Sequence, residues 1–186
     1  IATRITSIQQ AIVILGLNTV KNLVIGMSVV RTFAESATAS LFDRKQFWLH
    51  SFGCAIGSRT LAKQLCLNQP EDYFLAGLLH DIGILVLDQF FHDEFVDVLQ
   101  TRQRDHILYV DAEKKVLGVT HCQVGEFLGS KWKLPDILLH AMRYHHDPQF
   151  TGNDLSGSFD IMAVVHVADV AANNMGIHIG INEGMR

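Results

Sequence analysis

His80 and Asp81 stand side by side in the apolar run Gly77-Leu78-Leu79-His80-Asp81-Ile82-Gly83, and no other feature of the chain restricts its fold as much. An ionised carboxylate is costly to bury unless hydrogen-bond donors or a cation compensate its charge. Any fold that buries this run must therefore bring partners to the pair. The chain offers His50 upstream and His121, His145, His146 and Asp169 downstream, each on its own apolar-periodic segment.

Those segments read as helices throughout. Residues 7–15 precede the breaking pair Gly16 and Asn18, and residues 20–34 space Leu23, Val24, Met27 and Val30 helically, which predicts a helical hairpin. Asp43 is the expected N-cap of a long helix reaching about Cys66 and carrying His50. Pro70-Glu71-Asp72 is a helix-start signature, since proline is tolerated in the first turn and acids favour the positive end of the helix dipole. The helix it opens carries His80-Asp81 near its middle or end, with Gly83 as the expected break. Further helices are expected over 90–103, 111–117 and 120–131, the last capped by Thr120. Another runs from Pro135 to His145-His146, where Pro148 stops it. Residues 149–158 read as a loop and 161–172 as a final helix bearing Asp169. Without a repeat, low-complexity tract or linker, residues 1–186 are expected to form a single all-α domain, a compact multi-helix bundle.

Composition narrows the function classes. No run of about 18 apolar residues occurs, so no membrane span is expected, and residues 5–15 suit an amphipathic helix better than a signal sequence; a cytoplasmic location follows as the default. A net charge of -4 without a dense basic run argues against nucleic acid as a partner. Cys54, Cys66 and Cys122 are odd in number and lack zinc-finger spacing, which predicts reduced, buried thiols. Phe42, Phe47, Trp48 and Phe52 are expected in the core.

Ten histidines in a non-basic chain point to metal binding. Imidazole nitrogen with carboxylate oxygen suits iron, manganese, zinc or cobalt better than calcium or magnesium. The seven donors His50, His80, Asp81, His121, His145, His146 and Asp169 exceed what one tetrahedral ion takes. A binuclear centre with Asp81 as the bridge would use them all. Two ions about 3.5–4 Å apart stabilise the attacking and leaving oxygens of a phosphoryl displacement. His166, one helical turn before Asp169, is expected to support it from behind. His92, His106, His140 and His178 read as ordinary helical histidines.

The order His50, His80-Asp81, Asp169 resembles the HD superfamily of metal-dependent phosphohydrolases, and adding His121 and His145-His146 makes the chain similar to the binuclear HD-GYP phosphodiesterases. It resembles more closely the HDOD family, the HD-related output domains of bacterial signalling proteins. The shared segments are Ser7-Ile8-Gln9-Gln10-Ala11-Ile12, Phe47-Trp48-Leu49-His50, Ala76-Gly77-Leu78-Leu79-His80-Asp81-Ile82-Gly83, Gly118-Val119-Thr120-His121-Cys122-Gln123-Val124-Gly125 and Trp132-Lys133-Leu134-Pro135, so the likeness spans essentially the whole chain.

The resemblance implies an HD-type bundle with His50, His80, Asp81 and Asp169 around one metal. It places His121, His145 and His146 around a second, with Asp81 shared and iron or manganese ahead of zinc. Three departures bear on activity. Ile84 stands where hydrolytic relatives carry a phosphate-contacting lysine, the Gly-Tyr-Pro signature is replaced by Asp147-Pro148-Gln149-Phe150, and Gln46 stands where some binuclear relatives have a glutamate ligand. In a fourth departure, the helices that precede Ser7 in HDOD domains are absent from the sequence, which would leave apolar surface on residues 8–30 needing another cover. The implied function is a signalling output module that keeps its metal site and acts mainly by protein interaction, with signalling domains or a second copy as partner. The alternative is a phosphohydrolase acting on a nucleotide or cyclic dinucleotide, with Asp81 as the catalytic residue.

Overall fold

The computed structural model describes residues 5–33, 42–148 and 158–181. The loop expected over 149–158 lies, except for Ser158, outside the described residues, as does Ala34. The backbone divides into two compact units, 1–35 and 36–186. Every described element is an α-helix, apart from one isolated antiparallel bridge between Phe42 and Ile181.

In the first unit, α1 (Ile8–Leu15) begins where the Ser7 side chain accepts the Gln10 amide, and Gly16 joins it to α2 (Leu17–Thr32) through a turn of 118°. Gly16 has φ +85°, a conformation that costs other residues dearly. The break is thus Gly16 alone, and α2 begins at Leu17, three residues before the expected start, with Asn18 inside its first turn. Ile8, Val13, Leu17 and Met27 stay exposed on these two helices.

The second unit holds the candidate site. Asp43 caps α3 (Arg44–Gln64) by accepting the Lys45 and Gln46 amides, and Pro70 opens α4 (Pro70–Leu79). The chain breaks at His80-Asp81, two residues earlier than Gly83, and α5 (Ile82–Phe90) follows. Then come α6 (His92–Asp105), α7 (Tyr109–Leu117), α8 (His121–Lys131), α9 (Asp136–Tyr144) and α10 (Phe159–Asn174). Thr120 and Gln123 cap α8 reciprocally, side chain to backbone in both directions. Helix α4 packs on α3 and α9, α10 on α3, α4 and α9, α5 on α6 and α8, α6 on α7, and α8 on α9.

Phe47, Leu75, Leu79, Ile82, Leu85, Phe95, Met142 and Met162 form the centre of the core, each contributing about 1.5–3 kcal/mol by leaving water. Residues 70–90 are apolar enough for a membrane span, yet 78% of the apolar window is buried inside the protein. This stretch is a core element. Phe52 departs from its expected core position and is 41% exposed, because it lies on the outer face of α3. Cys66 also departs from expectation: it follows the end of α3 at φ +54° and is exposed, whereas Cys54 and Cys122 are buried.

Gly83 serves packing instead of a break. A Cβ at this position would sit 2.0 Å from the His121 carbonyl oxygen and 2.9 Å from the Gly125 amide, so only glycine lets α8 approach α5 so closely. At Gly77 a Cβ would meet the Cys54 carbonyl at 2.7 Å, and its absence lets α4 lie against α3. The two glycines that flank His80-Asp81 thereby bring α3 and α8 to the pair from two sides.

Candidate metal centre

The break between α4 and α5 points His80 and Asp81 into the middle of the second unit. Asp81 has φ -100° and ψ 11°, in the sparsely populated bridge region where many active-site residues sit. Around it gather His50 from α3, His121 from the first turn of α8, His145 and His146 from the end of α9, and Asp169 from α10. All seven sequence-predicted donors come together.

Asp81 divides its two oxygens between two sets of histidines. Oδ2 faces His80 Nε2 at 3.2 Å and His50 Nε2 at 3.8 Å, while Oδ1 faces His145 Nε2 at 3.2 Å and His121 Nε2 at 3.3 Å. Asp169 Oδ1 lies 3.2 Å from His50 Nε2 and accepts a 2.7 Å hydrogen bond from Asn173. On the other side His146 Nε2 is 3.2 Å from His121 Nε2. The donors thus form two groups, His50, His80 and Asp169 on one side and His121, His145 and His146 on the other, with Asp81 between them.

The outer nitrogens fix which way the imidazoles present their lone pairs. His50 Nδ1 donates to the Ile177 carbonyl at 2.8 Å, His80 Nδ1 to Gly77 at 2.9 Å and His145 Nδ1 to Met142 at 3.0 Å. His121 Nδ1 donates to the Glu113 carboxylate at 2.8 Å. Because these acceptors have no proton to give, each neutral ring turns a bare Nε2 inward. Four lone pairs then converge on a carboxylate, an arrangement that repels unless positive charge is added. His80 Nε2, His145 Nε2 and Asp81 Oδ1 are buried and make no hydrogen bond within the protein. Such orphaned atoms are rare in native cores, and a divalent cation would satisfy all three at once. The donor set therefore fits a metal, with His50, His80, His121 and His145 held from behind as metal-binding histidines are.

Proton binding shows the same demand. His80 is raised to about 9: burial opposes protonation, but the close Asp81 carboxylate, the charge of Asp169 and the Gly77 carbonyl outweigh it. Asp81 is held well below the usual carboxylate range, since the charge of His80 and the imidazoles of His121, His145 and His80 more than reverse the effect of burial. Cys122 is lowered to about 7; burial would raise it, and the charges of His121 and His145 prevail. Cys54 moves upward through burial and the charges of Asp169 and Asp81.

His166 Nδ1 bonds the His145 carbonyl at 2.7 Å, so it supports the end of α9 instead of Asp169. Gln46 is exposed, away from the centre. Sequence reasoning missed Glu113, a fully buried acid that accepts both the amide and the ring N–H of His121. Its signal was present, because Glu113 occupies the apolar stripe formed with Val110, Val116 and Leu117 at helical spacing. It also missed Cys54 and Cys122, whose sulfurs lie 3.4 Å from His50 Nε2 and His121 Nε2.

A cavity of about 460 Å³ opens onto Asp81, His121, His146 and Asp169. Ile84 lines it, as do Arg102 from α6 and Lys114 from α7, so two cations share the space from which the family lysine is missing.

The profile of the HDOD domain family matches residues 1–148. Among solved structures, the chain is similar to an HDOD domain protein of unknown function from Geobacter sulfurreducens, at 27% identity and TM-score 0.81, over 99% of this chain and 60% of that one. A provisionally assigned phosphohydrolase from Shewanella amazonensis SB2B matches at 25% identity and TM-score 0.77, over 93% and 61%. A provisionally assigned signal transduction protein from Marinobacter aquaeolei VT8 matches at 25% identity and TM-score 0.76, over 98% and 40%. The chain thus spans about three fifths of the first two proteins and two fifths of the third.

Proposed function

The chain belongs to the HDOD family, and from that premise we propose that it is a cytoplasmic signalling output module built around a binuclear metal centre, acting mainly through contact with other proteins. The observation that carries the metal is Asp81, whose two oxygens face two histidine groups while three buried atoms of the cluster make no hydrogen bond. His50, His80 and Asp169 would hold one ion and His121, His145 and His146 the other. When bound, the ions supply positive charge at the heart of the unit and, toward a phosphate ester, Lewis acidity. Iron or manganese suits the nitrogen and oxygen donors of the first position.

Interaction as the output is supported by Ile84, which is fully buried where a phosphate-contacting lysine would be needed and offers no hydrogen bond. It is also supported by exposed apolar side chains. Leu49, Phe52 and Ile56 recur at helical spacing on α3, and Val167 and Val170 lie half-exposed on α10, which packs against it.

One observation favours the second reading, a phosphohydrolase acting on a nucleotide or cyclic dinucleotide. Arg102 and Lys114 line the cavity beside Asp81 and would compensate phosphate charge in place of the lost lysine.

Elemental analysis, thermal melting and a nucleotide hydrolysis screen on the purified chain separate these readings. The expected result is about two metal equivalents, a lower Tm after chelation, and no turnover. An ion at about 1,000 times its Kd adds about 4 kcal/mol, or roughly 8–16 °C for a chain of this size. Metal-dependent turnover that disappears in Asp81→Ala would establish the enzyme reading instead, and absence of bound metal would sink both.

A further inference from the structure

We propose that Cys122 is a ligand of the second position, giving that position a sulfur donor and hence a preference for thiolate-binding metals such as zinc, iron and cobalt over manganese. The inference rests on the metal reading above and deepens it by separating the chemistry of the two positions.

Cys122 is buried, and its Sγ lies 3.4 Å from His121 Nε2. The ligand atoms of His121, Cys122, His145 and His146 all lie within 4.8 Å of one another. Donors at about 2.0–2.3 Å from a tetrahedral ion are themselves roughly 3.3–3.8 Å apart. The 3.4 Å sulfur to nitrogen and 3.2 Å nitrogen to nitrogen separations come close to that spacing. His145 Nε2, a member of the same group, is fully buried and faces Asp81 Oδ1 at 3.2 Å without a hydrogen bond, which marks the space between these atoms as one that suits a cation.

Charge assigns the thiolate to this side of the centre. The first position already has Asp169 and a share of Asp81, whereas the second has three neutral imidazoles and only its share of Asp81. A thiolate at Cys122 makes the anionic donors of the two positions equal. Cys122 is also the second residue of α8, where the positive end of the helix dipole favours a negative sulfur. Cys54 offers the contrast. Its Sγ is equally near His50 Nε2, but Asp169 already stands in the same group, and a further anion there would be repelled. Soft sulfur selects zinc or iron where oxygen and nitrogen alone accept manganese.

The test uses the whole chain, stripped with chelator and titrated with cobalt chloride. Visible d–d bands report bound cobalt, and a near-ultraviolet thiolate-to-cobalt charge-transfer band reports sulfur in the coordination shell. Wild-type protein and Cys54→Ser are expected to show both, while Cys122→Ser binds cobalt without the charge-transfer band and loses its preference for zinc over manganese. The wild-type spectrum needs no variant to fold. Cobalt bound to wild type without that band, or a band that persists in Cys122→Ser, overturns the inference and leaves the metal reading standing. Failure of wild type to bind cobalt at all overturns both.

Discussion

The two halves of the centre are built from similar donors but are supported differently. On the first side His50 and His80 are fully buried, and backbone carbonyls of Ile177 and Gly77 hold their rings. On the second side His146 sits at the solvent edge, the cavity opens onto His121, and a buried carboxylate, Glu113, holds the His121 ring. A carbonyl orients a ring, whereas a carboxylate also raises its basicity. The first position, reached by the cavity only at Asp169, is thereby the more buried and is set by the backbone, and the second is the more open and is tuned by side chains. On the metal reading proposed above, an ion at the first position would exchange more slowly than one at the second.

The strongest way to break the comparison is to remove what the halves share. Asp81→Asn keeps the shape of the side chain but withdraws the negative charge that faces both groups, so metal content should fall from about two equivalents to near none. Inductively coupled plasma analysis checks it. Retention of one full equivalent would mean that the halves do not depend on a common ligand.

Next in size is a contrast in stability. His80→Ala leaves a cavity, strands the Gly77 carbonyl and takes away a partner of buried Asp81, which together should cost about 3 kcal/mol. His146→Ala, at the solvent edge, should stay within about 0.5 kcal/mol while removing the second metal. Urea unfolding of the chelated variants measures both. Equal losses would erase the distinction between a more buried side and a more open one.

Gly83→Ala probes the second half through the backbone. The added Cβ would press on the His121 carbonyl, pushing α8 away from α5 and costing about 1–3 kcal/mol. Metal at the first position should survive and metal at the second should be lost. Elemental analysis at one defined protein concentration, beside a melting curve, would show whether the two positions fail together.

Much of this was legible in the sequence, because it depends on local chemistry. Ser7, Asp43, Pro70 and Thr120 start helices through caps or ring geometry that involve only near neighbours. The seven donors stood out because ionisable groups on apolar stripes have few reasons to be there. What the sequence hid is tertiary. Gly83 looks like a helix break and is instead a contact surface for α8, since its role depends on the His121 carbonyl 38 residues away in the chain. The actual break, at His80-Asp81, has no breaking residue, and α5 was hidden within the apolar run that it continues. Glu113 was obscured by the neighbouring Lys114 and Lys115, which make its helix look solvated. Cys54 and Cys122 read as ordinary small hydrophobes until the fold placed their sulfurs beside His50 and His121.

The smallest expected effect is also the one that isolates how the second half is tuned. Glu113→Gln preserves a carbonyl that can accept the His121 ring N–H and amide, so the ring should stay in place and the fold should hold. What disappears is a full negative charge behind the imidazole, which lowers the basicity of Nε2. Losing such a partner typically weakens metal binding by about 10–100-fold. Only the second position should feel it, because His50, His80 and His145 are held by carbonyls. A competitive zinc titration against a chromophoric chelator should therefore show one unchanged and one weakened equivalent. Equal weakening of both would mean that charge passes through Asp81 from one half to the other, and the centre would then behave as a single cooperative unit with Glu113 as its common control.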